Sequence, residues 1–246
     1  MKIGRPMADS LYAHASFYRM LHHERRADLP FYLEATQGAA RVLEYGVGTG
    51  RVALPMARRG QAIVGVDRSE AMLRSFAADL RAEPEVEARV RLVHADAREL
   101  ALPERFDAVT CPFNGIAHHL DLDELATFLG RVRAHLRPGA PFVLDVLLPD
   151  PNLMLGSCSE IPWFRDPETG VPCRATERIE HDALAQRLTI TTTTRAMEGE
   201  REPVEMVLQL RLLFPQETLL LLRHHGFEVV ERQELGDVIG YVCRAG

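Results

Sequence analysis

Val42-Leu43-Glu44-Tyr45-Gly46-Val47-Gly48-Thr49-Gly50-Arg51 is the stretch on which the fold turns. A short apolar run meets three alternate glycines, and a helical pattern follows through Met56 to Arg59. Strand, glycine turn and helix start in that order let a backbone approach a ligand with no Cβ in the way. In open α/β sheets such a turn lies at the carboxyl end of a strand, where ligands bind. The dinucleotide fingerprint G-x-G-x-x-G would need glycine at position 51, which is Arg51. The spacing here is G-x-G-x-G, with Glu44 two positions ahead of it.

On either side of this stretch, short apolar runs alternate with amphipathic stretches. Strands are expected at Arg41–Tyr45, Ala62–Val66, Val90–His94, Phe106–Cys111 and Pro141–Leu148, and helices at Glu70–Arg81 and Leu122–Leu136. Arg137-Pro138-Gly139 stops the last of these helices. Alternation of this kind implies βαβ units, right-handed crossovers and a doubly wound, mainly parallel sheet. Upstream, Leu11, Phe17, Tyr18, Leu21, Phe31, Tyr32 and Leu33 carry helical signals.

Beyond Pro149 the pattern changes. Residues 151–173 are rich in Pro, Gly, Asp and Ser and read as a loop. Ala175–His181, Arg187–Met197 and Pro203–Phe214 then read as three strands, hinged at Asp182-Ala183 and Glu198-Gly199-Glu200. Leu188, Ile190, Thr192 and Thr194 alternate with Thr189, Thr191 and Thr193, as in an antiparallel meander with one wet face. Pro215 opens a helix that His224-His225-Gly226 closes, and Phe227–Glu231 and Val238–Cys243 return to the main sheet. The expected organisation is an N-terminal helical lid (1–38), an α/β core (39–150), an inserted loop and β lobe (151–214), and a return to a seven-stranded sheet (215–246).

Composition narrows the function classes. The 246 residues carry 35 acidic and 29 basic side chains, a net charge of −6, which disfavours a general nucleic-acid binder. Lys2 is the one lysine, so the arginines reflect composition and none is singled out as a phosphate ligand. No apolar run reaches the ~20 residues of a membrane span, and Met1–Ser10 lacks the apolar core of a leader. Cys111, Cys158, Cys173 and Cys243 are scattered, against a disulfide framework or a structural zinc site. His-His pairs begin at positions 22, 118 and 224, but adjacent histidines on a helix point apart and no acid has ligand spacing, so no metal is expected. A cytoplasmic protein without membrane or nucleic-acid partners is the expectation, with a homodimer possible.

At this point the chain resembles the class I S-adenosylmethionine-dependent methyltransferases. Glu44 to Gly50 looks like that family's first motif. Gly65-Val66-Asp67, His94-Ala95-Asp96-Ala97, Phe106-Asp107-Ala108-Val109 and Leu136-Arg137-Pro138-Gly139 follow in the family's order, so five landmarks cover about residues 41–148. The resemblance implies S-adenosyl-L-methionine as cofactor. It places Asp67 on the ribose hydroxyls, Asp96 on the adenine amino group and Glu44 near the methionine moiety. It also implies contacts from Tyr18, Gly46, Gly48, Gly50, Arg68, Ala97 and Cys111. Read alone, Asp67 equally suits a helix cap ahead of Ser69-Glu70, and Asp96 a surface acid.

Cys111-Pro112-Phe113-Asn114-Gly115-Ile116-Ala117-His118-His119-Leu120 is similar to the acceptor segment of aminosugar N-methyltransferases and glycine N-methyltransferase-like enzymes. It departs from the N-P-P-aromatic motif of macromolecular amide methylators. The implied substrate is a small molecule bearing an amine, with O- or C-methylation as alternatives. His118 keeps the spacing from Phe113 and His119 adjoins Leu120, so either is the candidate general base. Tyr12, Phe113, Asn114 and Trp163 are candidate acceptor contacts. Tyr12 and Tyr18 also fit helix packing, and Trp163 fits either a pocket roof or an oligomer interface. A nicotinamide-dependent oxidoreductase and a non-catalytic cofactor-binding protein remain the rivals from other classes.

Overall fold

The structure is a computed structural model that describes residues 10–22, 24–199 and 201–246. The leader reading of the first nine residues, the His23 half of the first histidine pair and the Glu200 end of the second hinge lie outside the described residues. The chain forms two compact units, Arg25–Leu148 with Leu213–Gly246, and Met1–Glu24 with Pro149–Leu212. The helical signals of the first 38 residues are thus divided between the units at Glu24/Arg25.

The larger unit is built on a seven-stranded sheet. Its strands are β1 (Arg41–Tyr45), β2 (Ala62–Asp67), β3 (Val90–His94), β4 (Ala108–Cys111), β5 (Pro141–Leu147), β10 (Phe227–Glu234) and β11 (Val238–Ala245). They lie in the order β10-β11-β5-β4-β1-β2-β3. β1 to β5 are mutually parallel, and β11 runs antiparallel to both β5 and β10. The doubly wound reading holds. Because β1 lies between β2 and β4, the chain order reverses beside it, which opens a crevice at its carboxyl end.

Side chains along each central strand alternate between two cores, as a sheet covered on both faces requires. Leu43, Tyr45, Phe142, Leu144 and Val146 enter one core with Leu125, Phe128 and Leu129 of α6 (Leu122–His135). Val42 and Val143 enter the other, with Phe31 and Tyr32 of α2 (Leu29–Ala35), Met56 of α3 (Ala53–Arg58) and Phe76 of α4 (Glu70–Leu80). Ser69 caps α4 by accepting the Met72 amide at 3.3 Å. Asp121 caps α6 by accepting the Glu124 amide at 2.8 Å.

The smaller unit holds α1 (Ala15–His22), α7 (Pro151–Leu155) and a four-stranded antiparallel sheet in the order β6-β7-β8-β9. These strands are β6 (Ser157–Arg165), β7 (Pro172–Asp182), β8 (Arg187–Ala196) and β9 (Val204–Arg211). The loop expected over 151–173 is therefore wrong for most of its length, and the meander has four strands. β6 hid because it is an edge strand with a register shift between Ile161 and Phe164. An edge tolerates Pro162, and the shift breaks the alternation that marks a strand. Thr192 and Thr194 are buried on the same face of β8 as Leu188, in keeping with the expected alternation.

Candidate functional site

The glycine turn is built from the end of β1. Gly46, Gly48 and Gly50 all have positive φ, at 67°, 54° and 81°. Space beside Gly46 is open, and a Cβ on Gly48 would meet only the Gly46 carbonyl at 3.9 Å. Gly50 is different, since its Cβ would overlap the Phe76 ring. The first two glycines thus leave backbone accessible, and the third lets the turn press onto α4. Gly65 does the matching job on β2, where a Cβ would fall 2.8 Å from Val47.

Asp67 ends β2 and is tied into this turn. The Gly48 amide donates to its Oδ2 at 2.8 Å, and the Ser69 amide donates to its Oδ1 at 2.8 Å. Burial pushes its carboxyl pKa upward against those amides. The cap of α4 is Ser69, so the helix-cap alternative for Asp67 is not what the structure builds. Glu44 is 1% exposed, faces the same core as Val42 and accepts the Thr110 hydroxyl at 3.3 Å. Burial raises its pKa to about 8, with the Arg51 charge and the Thr110 and Ala53 donors working the other way. At neutral pH its carboxyl is largely protonated.

Asp96 follows β3 and is already engaged. Arg98 donates to it through Nε (2.9 Å), Nη2 (2.6 Å) and its own backbone amide (2.8 Å). These bonds hold the Asp96 pKa at about 2. Arg98 also donates to Glu124, which accepts the Leu120 amide at 3.0 Å. Ala97 packs partly buried against the first core, and the Arg68 carbonyl lies 3.0 Å from His94 Nε2.

Cys111 ends β4 fully inside, and burial pushes its thiol pKa well up. The chain then turns through Phe113 and Asn114, both left-handed at φ 56° and 55°. For Phe113 this conformation costs roughly 1–2 kcal/mol, whereas asparagine adopts it more readily than other non-glycine residues. The Phe113 ring faces the Arg25 and Arg51 guanidinium groups, at 4.4 and 5.5 Å. A short helical turn over Gly115–His118 follows. His118 is neutral, its pKa lowered to about 3 by burial and by the nearby charges of Arg68 and His119. His119 is buried with its ring stacked on Phe128 at 4.4 Å, and its pKa falls to about 4, chiefly through burial.

Tyr12, Tyr18 and Trp163 belong to the smaller unit. The Tyr12 and Tyr18 rings pair at 5.6 Å, Tyr18 packs edge-on against His22 at 4.7 Å, and Trp163 on β6 is 59% exposed. The larger unit brings together the glycines, Glu44, Asp67, Cys111, Phe113 and Asn114 at the carboxyl ends of β1, β2 and β4. Among the described residues no three His, Cys, Asp or Glu side chains converge as a metal site, and no helix is long and apolar enough to cross a membrane.

Several polar partnerships of this site carry no sequence signal. Arg51 makes a two-pronged ion pair with Asp28, Nη1 to Oδ1 at 2.6 Å and Nη2 to Oδ2 at 2.7 Å. Asp145 on β5 is fully buried and gathers the Phe113 and Asn114 amides and the Tyr32 hydroxyl. Arg51 alone had a hint, as the first residue past the glycines.

Comparison with known proteins agrees with this geometry. Residues 42–139 match the model of a methyltransferase domain. Over 148 residues the chain is 31% identical to a dTDP-3-amino-3,6-dideoxy-alpha-D-glucopyranose N,N-dimethyltransferase of Streptomyces fradiae, covering 57% of this chain and 55% of that protein. The chain thus spans about half the length of that curated relative. The CcbJ methyltransferase of Streptomyces caelestis superposes with a TM-score of 0.78 at 28% identity over 89% of each chain. An amino pentose methyltransferase of Micromonospora echinaspora, solved with S-adenosylmethionine bound, shares the fold with a TM-score of 0.73 at 22% identity, over 98% of this chain and 99% of that one. Residues 42–139 thus match a methyltransferase domain, and the chain shares the fold of solved S-adenosylmethionine-dependent methyltransferases.

Proposed function

We propose that this protein transfers a methyl group from S-adenosylmethionine to an amine nitrogen of a small molecule. The observation that carries the reading is the open glycine turn at the end of β1, bound through Gly48 to the Asp67 carboxylate. The aminosugar dimethyltransferase relative supports an amine acceptor. Open backbone at Gly46 and Gly48 suits a polar ligand lying against the turn, and a carboxylate at Asp67 suits two vicinal hydroxyls. Asp96, held ionised by Arg98, is the acceptor for an exocyclic amino group. Glu44, Arg68, Ala97 and Cys111 complete the cofactor side. The cofactor brings an activated methyl group on a sulfonium, so the chain's task is alignment more than chemistry.

On the acceptor side we assign His118 the amine and His119 a packing role. Phe113 and Asn114 line that side. A ring with a pKa of about 3 stays neutral at pH 7 and accepts a hydrogen bond from the amine N–H, orienting the nitrogen lone pair. Its low basicity means that it does not retain the proton, which passes to water. His119, stacked on Phe128, fixes the segment that presents His118.

Calorimetric titration with S-adenosylmethionine, with a nicotinamide dinucleotide titrated alongside, tests the cofactor assignment. Binding of the first and not the second is expected, and Asp67→Ala should weaken it at least tenfold; unchanged affinity removes Asp67 from the site. An acceptor screen that reads S-adenosylhomocysteine release tests the reaction. Turnover with amines is the expected result, turnover only with hydroxyl acceptors would reassign the atom methylated, and none with any acceptor would favour a binding protein.

A further inference from the structure

Phe113 and Asn114 are the non-glycine residues of the larger unit that the described backbone holds at positive φ, and they are consecutive. Their neighbours leave little choice of path. A Cβ on Gly115 would lie 2.8 Å from Cys111 Sγ, so the chain folds tightly back over the end of β4. Asn114 Oδ1 accepts the Leu147 amide at 3.1 Å, joining the turn to the end of β5.

One side chain holds both amides of this left-handed turn. Asp145 Oδ2 accepts the Phe113 amide at 2.8 Å, and Oδ1 accepts the Asn114 amide at 2.5 Å. Oδ2 also accepts the hydroxyl of Tyr32, on α2, at 2.6 Å. Its neighbours in β5, Phe142, Val143, Leu144 and Val146, are all apolar and fully buried. An acid in such a strand core is costly, and an apolar residue of similar size would pack there at less expense. A buried acid and a strained turn that need one another mark a shape kept for use rather than for stability. The turn stands at the carboxyl end of β4, the strand beside β1, with the Phe113 ring against Arg51, the residue that follows Gly50.

We propose that Asp145, assisted by Tyr32, is a positioning residue that locks Phe113–Asn114 in the left-handed form and so builds the acceptor side of the site before substrate arrives. The kinetic consequence rests on the methyl-transfer reading above, whereas the structural one stands without it.

Asp145→Asn preserves the shape and removes one acceptor. Whichever way the new amide is turned, its NH2 group faces the Phe113 or the Asn114 N–H and repels it. Tyr32→Phe keeps the ring and removes one donor. Hydrogen exchange in the ligand-free protein is read first and needs no acceptor. Protection at Phe113 and Asn114 should fall at least tenfold in Asp145→Asn while β1 and β2 amides stay protected; unchanged protection at both overturns the proposal, and general loss marks a merely structural residue. Kinetics with an amine found active in the screen are read second, with S-adenosylhomocysteine affinity on the same samples. The expected result is a tenfold or larger loss of kcat/KM for the amine, a smaller loss in Tyr32→Phe, and product affinity within about twofold of wild type. A parallel loss of product affinity, or full turnover, overturns the positioning role. Failure of every acceptor with wild type sinks the methyl-transfer reading instead and leaves the exchange result to decide this one.

Discussion

Gly50 illustrates how much one hydrogen atom decides at the residue scale. Its φ of 81° is strained for any side chain, and a Cβ would fall 2.2 Å from a Phe76 ring atom. Gly50→Ala should therefore cost about 2–4 kcal/mol, read as a lowered denaturant midpoint. The buried ion pair makes a sharper case. Asp28 is 1% exposed and its two oxygens are met by Arg51, with Arg25 Nε farther off at 3.7 Å, so Arg51→Met should destabilise by about 3 kcal/mol by removing the hydrogen-bonded partner of a buried carboxylate. Removing both partners, in Asp28→Leu with Arg51→Met, should recover part of that loss. A double variant less stable than Arg51→Met alone would show that the pair is not the reason. The glycines were legible from sequence because positive φ selects for them. Asp28 was not, because its partner lies 23 positions on and no local pattern joins the two.

Elements were read where their own periodicity was strong. β1, β2 and β5 are mainly apolar runs, interrupted by Glu44 in β1 and Asp145 in β5, and α4 and α6 carry apolar stripes with a cap residue at the start. Ser69→Ala should cost about 1 kcal/mol by exposing the first turn of α4, with no change in the cooperativity of unfolding. β6 failed the same test because its strand is defined by a neighbour. Its pairing with β7 supplies the hydrogen bonds, while its exposed faces select no alternation. The loop after β3 follows the strand where its pattern predicts, but the partnership within it has no local signal: Arg98 takes both oxygens of Asp96. That partnership implies that Arg98→Gln would loosen Asp96 as well as α6, to which Glu124 belongs.

For the molecule as a whole, buried titratable groups set how stability varies with pH. His118 and His119 have folded pKa values of about 3 and 4, below the ordinary 6.5. As pH falls below about 6.5 the unfolded chain takes up those protons first, so stability is lost on the acid side. Glu44 works in the opposite sense. Its folded pKa of about 8 exceeds the ordinary 4.5, so between those values the folded state holds a proton that the unfolded state has released. Its contribution is complete below about pH 4.5 and is lost as pH rises to 8. These three groups together place the maximum between about pH 6 and 7. Thermal midpoints across pH 4 to 9 should show both limbs, and Glu44→Gln should flatten the alkaline one. An alkaline limb unchanged in that variant would assign it to other buried acids such as Asp145, whose pKa burial also raises.

The main strands and helices of the larger unit, the glycine turn and the acid at the end of β2 are all legible in the residue pattern. Each of these depends on residues within one turn or one strand of each other, where period, φ and capping act directly. Only the tertiary structure decided which charged and polar groups meet. Arg51 with Asp28, Arg98 with Asp96 and Glu124, and Asp145 with Tyr32 and two amides are products of strand order, which brings together groups up to 113 positions apart. Burial removes the water that would otherwise satisfy Asp28, Asp145 and the Tyr32 hydroxyl, so each must find a partner within the fold, and a linear pattern does not encode which partner lies within reach.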